Sequence, residues 1–577
     1  MNQILILWKY FSTRRKRQFR LLLVLTLVAS FAEMFSIGLV FPFLGVIANP
    51  EQTYQHQLIQ PVLQLFSVNS INELTLLLTI AFVSSAFFAG SIRLLLLYAT
   101  TRLSFAAGAD LSIDIYKRSL YQDYSTHMNS NSSEVINSIV NKTDAVITGV
   151  LNPVLIFISS IILMIGIVSV LFFMDFKISS IAFFGFGFLY WSTIKITRKK
   201  LQANSTTIAV ESTKLIKALQ EGLGGIRDVL IDGSQGFYCK LYREADYPIR
   251  RASGSNIFIN GSPKYIMESL GMVLIAILAY SMSKIGSDTR SIIPILGVLA
   301  LGAQRLLPVL QQTYSSLSNI RGSKASLNDV LKQLSRPLPE YTNYPTPQPM
   351  SFKKNIHIDN IGFRYSLDKK WIFNNLNFKI KKGEKVGFIG ASGSGKSTLI
   401  DILMSLLKPT SGSLIVDDCE ITTSNYRSWQ ASIAHVPQDI FLADCSIEEN
   451  IAFGVSKDKI DHSRVVDVAR QAQIFNMIES WPKKYKTFVG ERGARLSGGQ
   501  RQRIGVARAL YKQPEVLFLD EATSALDGDT ENAVMNVIES LKGSVTVLIV
   551  AHRLSTIQNC DRVFELKNGD ISEIMSS

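Results

Sequence analysis

The run Gly390-Ala391-Ser392-Gly393-Ser394-Gly395-Lys396-Ser397 has the residue types and spacing to hold phosphate. Its glycines let consecutive backbone N-H groups turn toward phosphate oxygens, Lys396 brings a point charge to the terminal phosphates, and the Ser397 hydroxyl can ligate magnesium. A short β run, Lys385 to Ile389, precedes it and a helical pattern, Thr398 to Leu407, follows, the setting that a phosphate-binding loop needs. Gly390, Ser392, Gly393, Ser394, Gly395, Lys396, Ser397 and Thr398 are the candidate nucleotide contacts. A flexible Gly-Ser turn is the plain alternative.

Kinases, GTPases, helicases and transporters all carry such a loop, so a second motif has to decide among them. Leu496-Ser497-Gly498-Gly499-Gln500 puts a serine and two glycines at the start of a helical stretch, Arg501 to Tyr511, where N-H donors can meet another anion. Ser497, Gly498, Gly499 and Gln500 are therefore expected to close on the nucleotide held by a partner chain, which points to a head-to-tail dimer. Further on, the apolar strand Val516 to Asp520 ends in two carboxylates with different tasks. Asp520 is placed to reach magnesium, directly or through water, and Glu521 to polarise the attacking water. His552 follows the strand Val545 to Val550 and can contact the γ-phosphate; a lone histidine is more often structural.

These groups need a rigid support, and the second half of the chain supplies the pattern for one. Short β runs (Lys385 to Ile389, Ser413 to Val416, Val516 to Leu519, Val545 to Val550) alternate with helices and read as buried parallel strands. Pro337, Pro339, Pro345, Pro347 and Pro349 mark residues 335–350 as an inter-domain linker. Before it, six apolar stretches are long enough to cross a hydrocarbon core, which takes roughly 20 helical residues. They are about 20–48, 75–100, 149–174, 178–196, 262–284 and 291–316. Residues 101–148 and 197–261 are helical in pattern and too polar for the membrane, so they run on into the cytosol. Ile4 to Phe11 reads as an elbow helix in the interface.

The net charge of +14 does not indicate nucleic acid, because the basic residues flank apolar segments, as in Arg14-Arg15-Lys16-Arg17 and Arg198-Lys199-Lys200. Cys239, Cys419, Cys445 and Cys560 all fall on the cytosolic side and imply neither a disulfide nor a metal framework. The apolar run from Leu21 is longer than a signal-peptide core and lacks a clear small-residue cleavage site, so it reads as an uncleaved first span.

With these pieces the chain resembles an ABC exporter that has its membrane domain first, along essentially its whole length. The resemblance implies an α-helical six-span transmembrane domain (1–334), a linker (335–350) and an α/β P-loop ABC ATPase domain (351–577), using ATP and Mg2+. It implies that Tyr365 stacks on adenine, that Gln438 joins the γ-phosphate and magnesium site to the membrane domain, and that Asp527 lies in the dimer-communication loop. Val489-Gly490-Glu491-Arg492-Gly493 resembles the exporter segment that touches the intracellular helices. Glu521 and the Ser497 to Gln500 motif are both intact, which favours a homodimer with two working sites. Intact Glu521 and His552 also count against an ATP-binding regulatory module without turnover.

Charges inside a bilayer are expensive, which makes Arg93, Lys264 and Arg305 the candidate substrate contacts, with Glu33 and Glu268 as possible partners. Facing a central cavity, these cations suit an anionic or pyrophosphate-bearing cargo; the other reading is that they snorkel or pair with the two glutamates. The stretches Ser30-Phe31-Ala32-Glu33 with Phe41-Pro42-Phe43, Ser262 to Glu268, and Arg305-Leu306-Leu307-Pro308 resemble bacterial flippases for lipid-linked oligosaccharides. That resemblance implies an inner-membrane, multi-pass protein whose basic residues meet a polyprenyl pyrophosphate. Lys264 stands where the family has arginine, which keeps the charge and loses the bidentate fork. His56, Leu58, Ile59, Val62, Leu63 and Phe66 recur at near-helical spacing, suggesting a short outer helix that in that family engages the lipid tail; taken alone, such a pattern is more often simple packing. Lipid A, a glycolipid, a peptide and a drug stay open as cargoes.

Overall fold

The computed structural model describes residues 2–574 apart from 49, 56–59, 67, 69, 175, 285–288, 345, 346, 367, 522–530, 532–534, 540, 542, 552–556 and 559. The chain divides into two compact units, one of residues 1–122 and 129–339, the other of residues 123–128 and 340–577.

The first unit is helical. Its long helices are Thr13–Ala48, Ile71–Leu120, Asn152–Met174, Phe176–Gly224, Gln235–Lys284 and Thr289–Gly322; five contain one of the apolar stretches read from the sequence, and Asn152–Met174 holds all of 149–174 but its first three residues, which lie in the π-helical turn Ile147–Leu151. Among the described residues, Thr13–Ile47, Ile71–Leu120 and Ser132–Ser169 are long and apolar enough to cross a membrane. Helix Ile71–Leu120 starts cleanly because the Ser70 hydroxyl accepts the Glu73 N-H. At 50 residues it is about 75 Å long by the helical rise, over twice a hydrocarbon core, so its polar second half must project beyond the bilayer. Phe176–Gly224 and Gln235–Lys284 have similar lengths, 49 and 50 residues, and pack against each other.

A short helix, Asn2–Lys9, precedes the first long one and buries Leu7 with Phe11, Phe19, Leu103 and Val330. In the 50–72 stretch, helices Pro50–Tyr54 and Gln60–Leu65 form, and Leu63 and Val68 are buried with Val46, Leu74 and Leu78 while Phe66 is exposed. His56, Leu58, Ile59 and the Val62 side chain lie outside the described residues.

The second unit is built on two sheets. In chain order the strands are β1 (Asn355–Phe363), β2 (Phe373–Lys381), β3 (Lys385–Ile389), β4 (Ser411–Val416), β5 (Cys419–Glu420), β6 (Ile433–Val436), β7 (Val516–Asp520), β8 (Thr546–Val550), β9 (Arg562–Lys567) and β10 (Asp570–Ile574). The larger sheet has the order β10-β9-β3-β8-β7-β6, parallel from β9 to β6 with β10 added antiparallel. β7 and β8 are buried along almost their full length, as strands covered on both faces must be.

The smaller sheet, β2-β1-β4-β5, corrects one expectation. Ser413 to Val416 belongs to β4, which pairs antiparallel with β1 and not in the parallel core. A short apolar run looks the same in either sheet. Asp417, in the tight turn after β4, accepts the backbone N-H groups of Lys353, of Lys354 at 2.6 Å and of Asn355 at 2.9 Å, which fixes the entry into β1 to the end of β4.

Candidate nucleotide site

Parallel strands β3, β8, β7 and β6 end on the same edge of the sheet, and the expected chemistry sits on that edge, where α/β folds bind ligands. β3 runs into the phosphate-binding loop, β7 ends in Asp520 and Glu521, and Gln438 follows β6. His552 follows β8 but lies outside the described residues, as does Asp527. The Arg305 side chain is also outside them, although its backbone belongs to helix Thr289–Gly322.

Gly395 ends the loop as the cap of helix Lys396–Leu403, at φ +101°, a conformation that favours glycine. A Cβ there would stand 2.8 Å from the Phe373 ring and 2.9 Å from Ile372. The helix begins two residues before the sequence pattern suggests, so Lys396 is its first residue and is buried, with Nζ donating to Gly390 O at 2.8 Å and Ala391 O at 3.1 Å. The loop is therefore curled around its own ammonium group.

The Ser394 Oγ is buried and has no hydrogen-bond partner among the described residues. A buried hydroxyl left in this condition is costly, and a phosphate oxygen would satisfy it. That orphan, the curled loop and the nearby carboxylates fit a nucleotide triphosphate. Ser392 and Gly393 form the exposed rim, with Gly393 at φ +81°. Thr398 Oγ1 lies 2.9 Å from the Tyr365 hydroxyl, and the Tyr365 ring stands edge-on to Phe363 with centroids 5.1 Å apart. The aromatic expected at the base is thus tied to the first turn of the helix that follows the loop.

At the other end, Gln438 Nε2 donates to Glu521 Oε2 at 2.7 Å. Glu521 adopts φ +48°, and its N-H donates to Val550 O at 3.1 Å, so its backbone is held in a sparsely populated region by the neighbouring strand. Among the described residues no group of three or more His, Cys, Asp or Glu side chains could hold a metal alone. A magnesium ion held through Ser397, Asp520 and Gln438 would therefore complete its shell with phosphate and water oxygens, as that ion usually does.

Helix Gly498–Tyr511 begins with a capping box in which Ser497 Oγ accepts the Gln500 N-H at 3.3 Å and Gln500 Oε1 accepts the Ser497 N-H at 2.9 Å. This starts the helix three residues earlier than the sequence pattern suggests. Gly498 and Gly499 are its first residues, and among the described residues no hydrogen bond joins this turn to the loop of its own chain. Glu491–Gly493 forms a tight turn with Arg492 at φ +51°, and Glu491 and Arg492 are exposed.

Two residues escaped the sequence reading. Asp401 is one turn beyond Ser397 on the same helix face, and burial together with the charge of Asp520 pushes its carboxyl up to about 6. An acidic residue at i+4 from Ser397, the serine expected to ligate magnesium, was the available signal. Tyr124 lies in the 123–128 segment that belongs to the second unit. Burial first, then the charges of Asp401 and Tyr365, push its phenol up, which places this segment beside the aromatic base.

Of the basic residues in the long helices, Arg93 Nη1 lies 3.8 Å from Glu33 Oε1, and Lys264 Nζ lies 3.8 Å from Glu268 Oε1. Both cations are thus paired with the glutamates named as possible partners.

Comparison with known proteins agrees with this architecture. Residues 373–524 match the family model described as ABC transporter, and residues 19–304 match that of the ABC transporter transmembrane region. A putative multidrug export ATP-binding/permease protein YgaD of Bacillus subtilis is 30% identical over 81% of this chain and 79% of its own. An ATP-dependent lipid A-core flippase of Cupriavidus metallidurans is 27% identical over 82% of this chain and 80% of its own. The heterocyst differentiation ATP-binding protein HepA of Nostoc is 33% identical over 65% of this chain, and the match spans 61% of that protein's length. A bacterial Atm1-family ABC exporter solved with ATP bound has the same fold, with a TM-score of 0.78 at 22% identity over 97% of this chain and 94% of that one. The chain belongs to the ABC transporter family: it joins a membrane-embedded helical region to the ATP-binding domain that hydrolyses ATP to drive transport.

Proposed function

We propose that this exporter is a flippase that moves an anionic lipid-linked saccharide, of the polyprenyl-pyrophosphate kind, from the cytoplasmic to the outer leaflet of a bacterial inner membrane. Two copies would act as a homodimer. Residues 1–334 would form the six-span membrane domain, 335–350 the linker and 351–577 the ATPase domain. Tyr365 would stack on adenine, and Gly390 to Thr398 would cradle the phosphates. Ser497 to Gln500 and Asp527 would close on the partner's nucleotide. Glu521 would orient the attacking water, held by Gln438, and His552 would meet the γ-phosphate. Magnesium, when bound, neutralises charge on the phosphates.

The observation that carries the cargo is that Arg93 and Lys264 keep 44% and 55% of their side-chain surface exposed within long helices although each has a carboxylate neighbour. At 3.8 Å these pairs are loose enough to admit a second anion, and Arg305 would add a third cation. The relative named as a lipid A-core flippase supports a lipid cargo. The pairing itself favours a second reading, export of an uncharged amphiphile.

ATP turnover in nanodiscs separates the two. A polyprenyl-pyrophosphate saccharide should stimulate it, and the matching polyprenyl alcohol should not; equal stimulation by both would favour the uncharged cargo.

A further inference from the structure

The start of the chain carries a charged and apolar surface that the nucleotide site does not use. Lys9, Arg14, Arg15, Lys16, Arg17 and Arg20 fall in a stretch, 9–20, without Asp or Glu. Arg15 is engaged, with Nε 2.7 Å from Asp110 Oδ2. Lys9, Arg14, Arg17 and Arg20 are exposed and Lys16 partly so, and among the described residues no carboxylate pairs with any of these five. Next to them, helix Asn2–Lys9 turns Leu5, Ile6 and Trp8 outward, 62%, 42% and 39% exposed, while Leu7 is 1% exposed.

This elbow is not a loose arm. Leu7 and Phe11 pack with Leu327, Val330 and Leu334 of helix Lys324–Leu334, and Gln3 hydrogen-bonds Asn328. The Arg118 guanidinium sits over the Tyr10 ring at 5.7 Å and donates to Arg336 O at 2.6 Å. Trp8 is wedged against Phe19, with ring centroids 5.2 Å apart. The basic residues are therefore presented together by a fixed scaffold, which lowers the entropy cost of binding several anions at once.

Exposed apolar side chains bordered by unpaired cations belong at the boundary of an anionic bilayer. We propose that the elbow docks on lipid phosphates of an anionic leaflet, with Leu5, Ile6 and Trp8 at the acyl boundary and Lys9, Arg14, Lys16, Arg17 and Arg20 on the headgroups. The surface selects anionic over zwitterionic lipid, whatever cargo the protein moves. A basic flank that served only to orient the chain during insertion would show no such selectivity in the folded protein.

The test uses full-length protein in nanodiscs containing brominated phosphatidylglycerol or brominated phosphatidylcholine. Trp8 quenching is read as the difference between wild type and Trp8→Phe. Phosphatidylglycerol should quench more at equal mole fraction, and the preference should shrink as salt rises. The combined R14Q, K16Q, R17Q and R20Q variant should lower the preference by about tenfold. A control variant, R198Q with K199Q and K200Q, should keep it. Equal quenching of Trp8 by the two lipids, or a salt-independent preference, would overturn the proposal, and neither result depends on the charge variants folding, since both need only wild type and the conservative Trp8→Phe reference.

Discussion

Gln438 and Glu521 are joined by a 2.7 Å hydrogen bond from amide Nε2 to carboxylate Oε2, across the ends of adjacent strands β6 and β7. The bond holds the carboxylate whose backbone is already set at φ +48°. Glu521→Gln should lower ATP turnover by about a hundredfold or more while nucleotide still binds. Gln438→Ala should lower it by about tenfold, and the double variant should be no worse than Glu521→Gln alone, because the two residues act as a unit. Steady-state turnover with a nucleotide-binding assay reads all three; additive losses would mean that they work separately.

The phosphate loop makes a second demand. Gly395→Ala puts a methyl group against Phe373 at a positive φ, so the ATPase domain should lose about 2 kcal/mol or more, read as a lower melting temperature. Lys396→Ala should instead fold and fail to retain ATP, checked by photolabelling with an azido nucleotide.

His435, on β6, is partly buried, and desolvation lowers its imidazole to about 4. Its Nε2 has no hydrogen-bond partner among the described residues. The unfolded chain takes up this proton near pH 6.5 and the folded chain only near pH 4, so stability is complete above 6.5 and falls as pH drops toward 4. The loss is at most roughly 3 kcal/mol. His435→Leu should flatten the melting temperature across that window; an unchanged acid slope would assign it to other groups.

Arg93→Ala removes the cation 3.8 Å from Glu33, whose side chain is 4% exposed. Breaking such a pair from one side should cost about 1 to 3 kcal/mol, and adding Glu33→Gln should recover part of it. Thermal melts in nanodiscs compare the three proteins. A single variant as stable as wild type would mean that the pair does not hold the helices.

The sequence showed the phosphate loop, the strand before it and the carboxylates after β7 plainly, because glycine spacing and buried β runs are local signals. It could not show that β4 leaves the parallel sheet, since pairing partners lie far away in the chain. Nor could it decide whether Arg93 meets Glu33, because those two stand on different helices and their meeting depends on how the helices rotate against each other, whereas Lys264 and Glu268 are one turn apart on a single helix, a spacing that the sequence does show. Tyr124 was missed because nothing in its neighbours announces a role, and Asp401 because its i+4 spacing from Ser397 gains meaning only once burial beside Asp520 is seen.

The most direct test of the proposed transport places purified protein in liposomes carrying a labelled polyprenyl-pyrophosphate oligosaccharide and follows ATP-dependent loss of the label from the leaflet exposed to ATP. The account predicts steady loss with wild type, none with Glu521→Gln, and at least about tenfold slower loss with Arg305→Ala. Wild-type protein that hydrolyses ATP in the same liposomes without moving the label would contradict it.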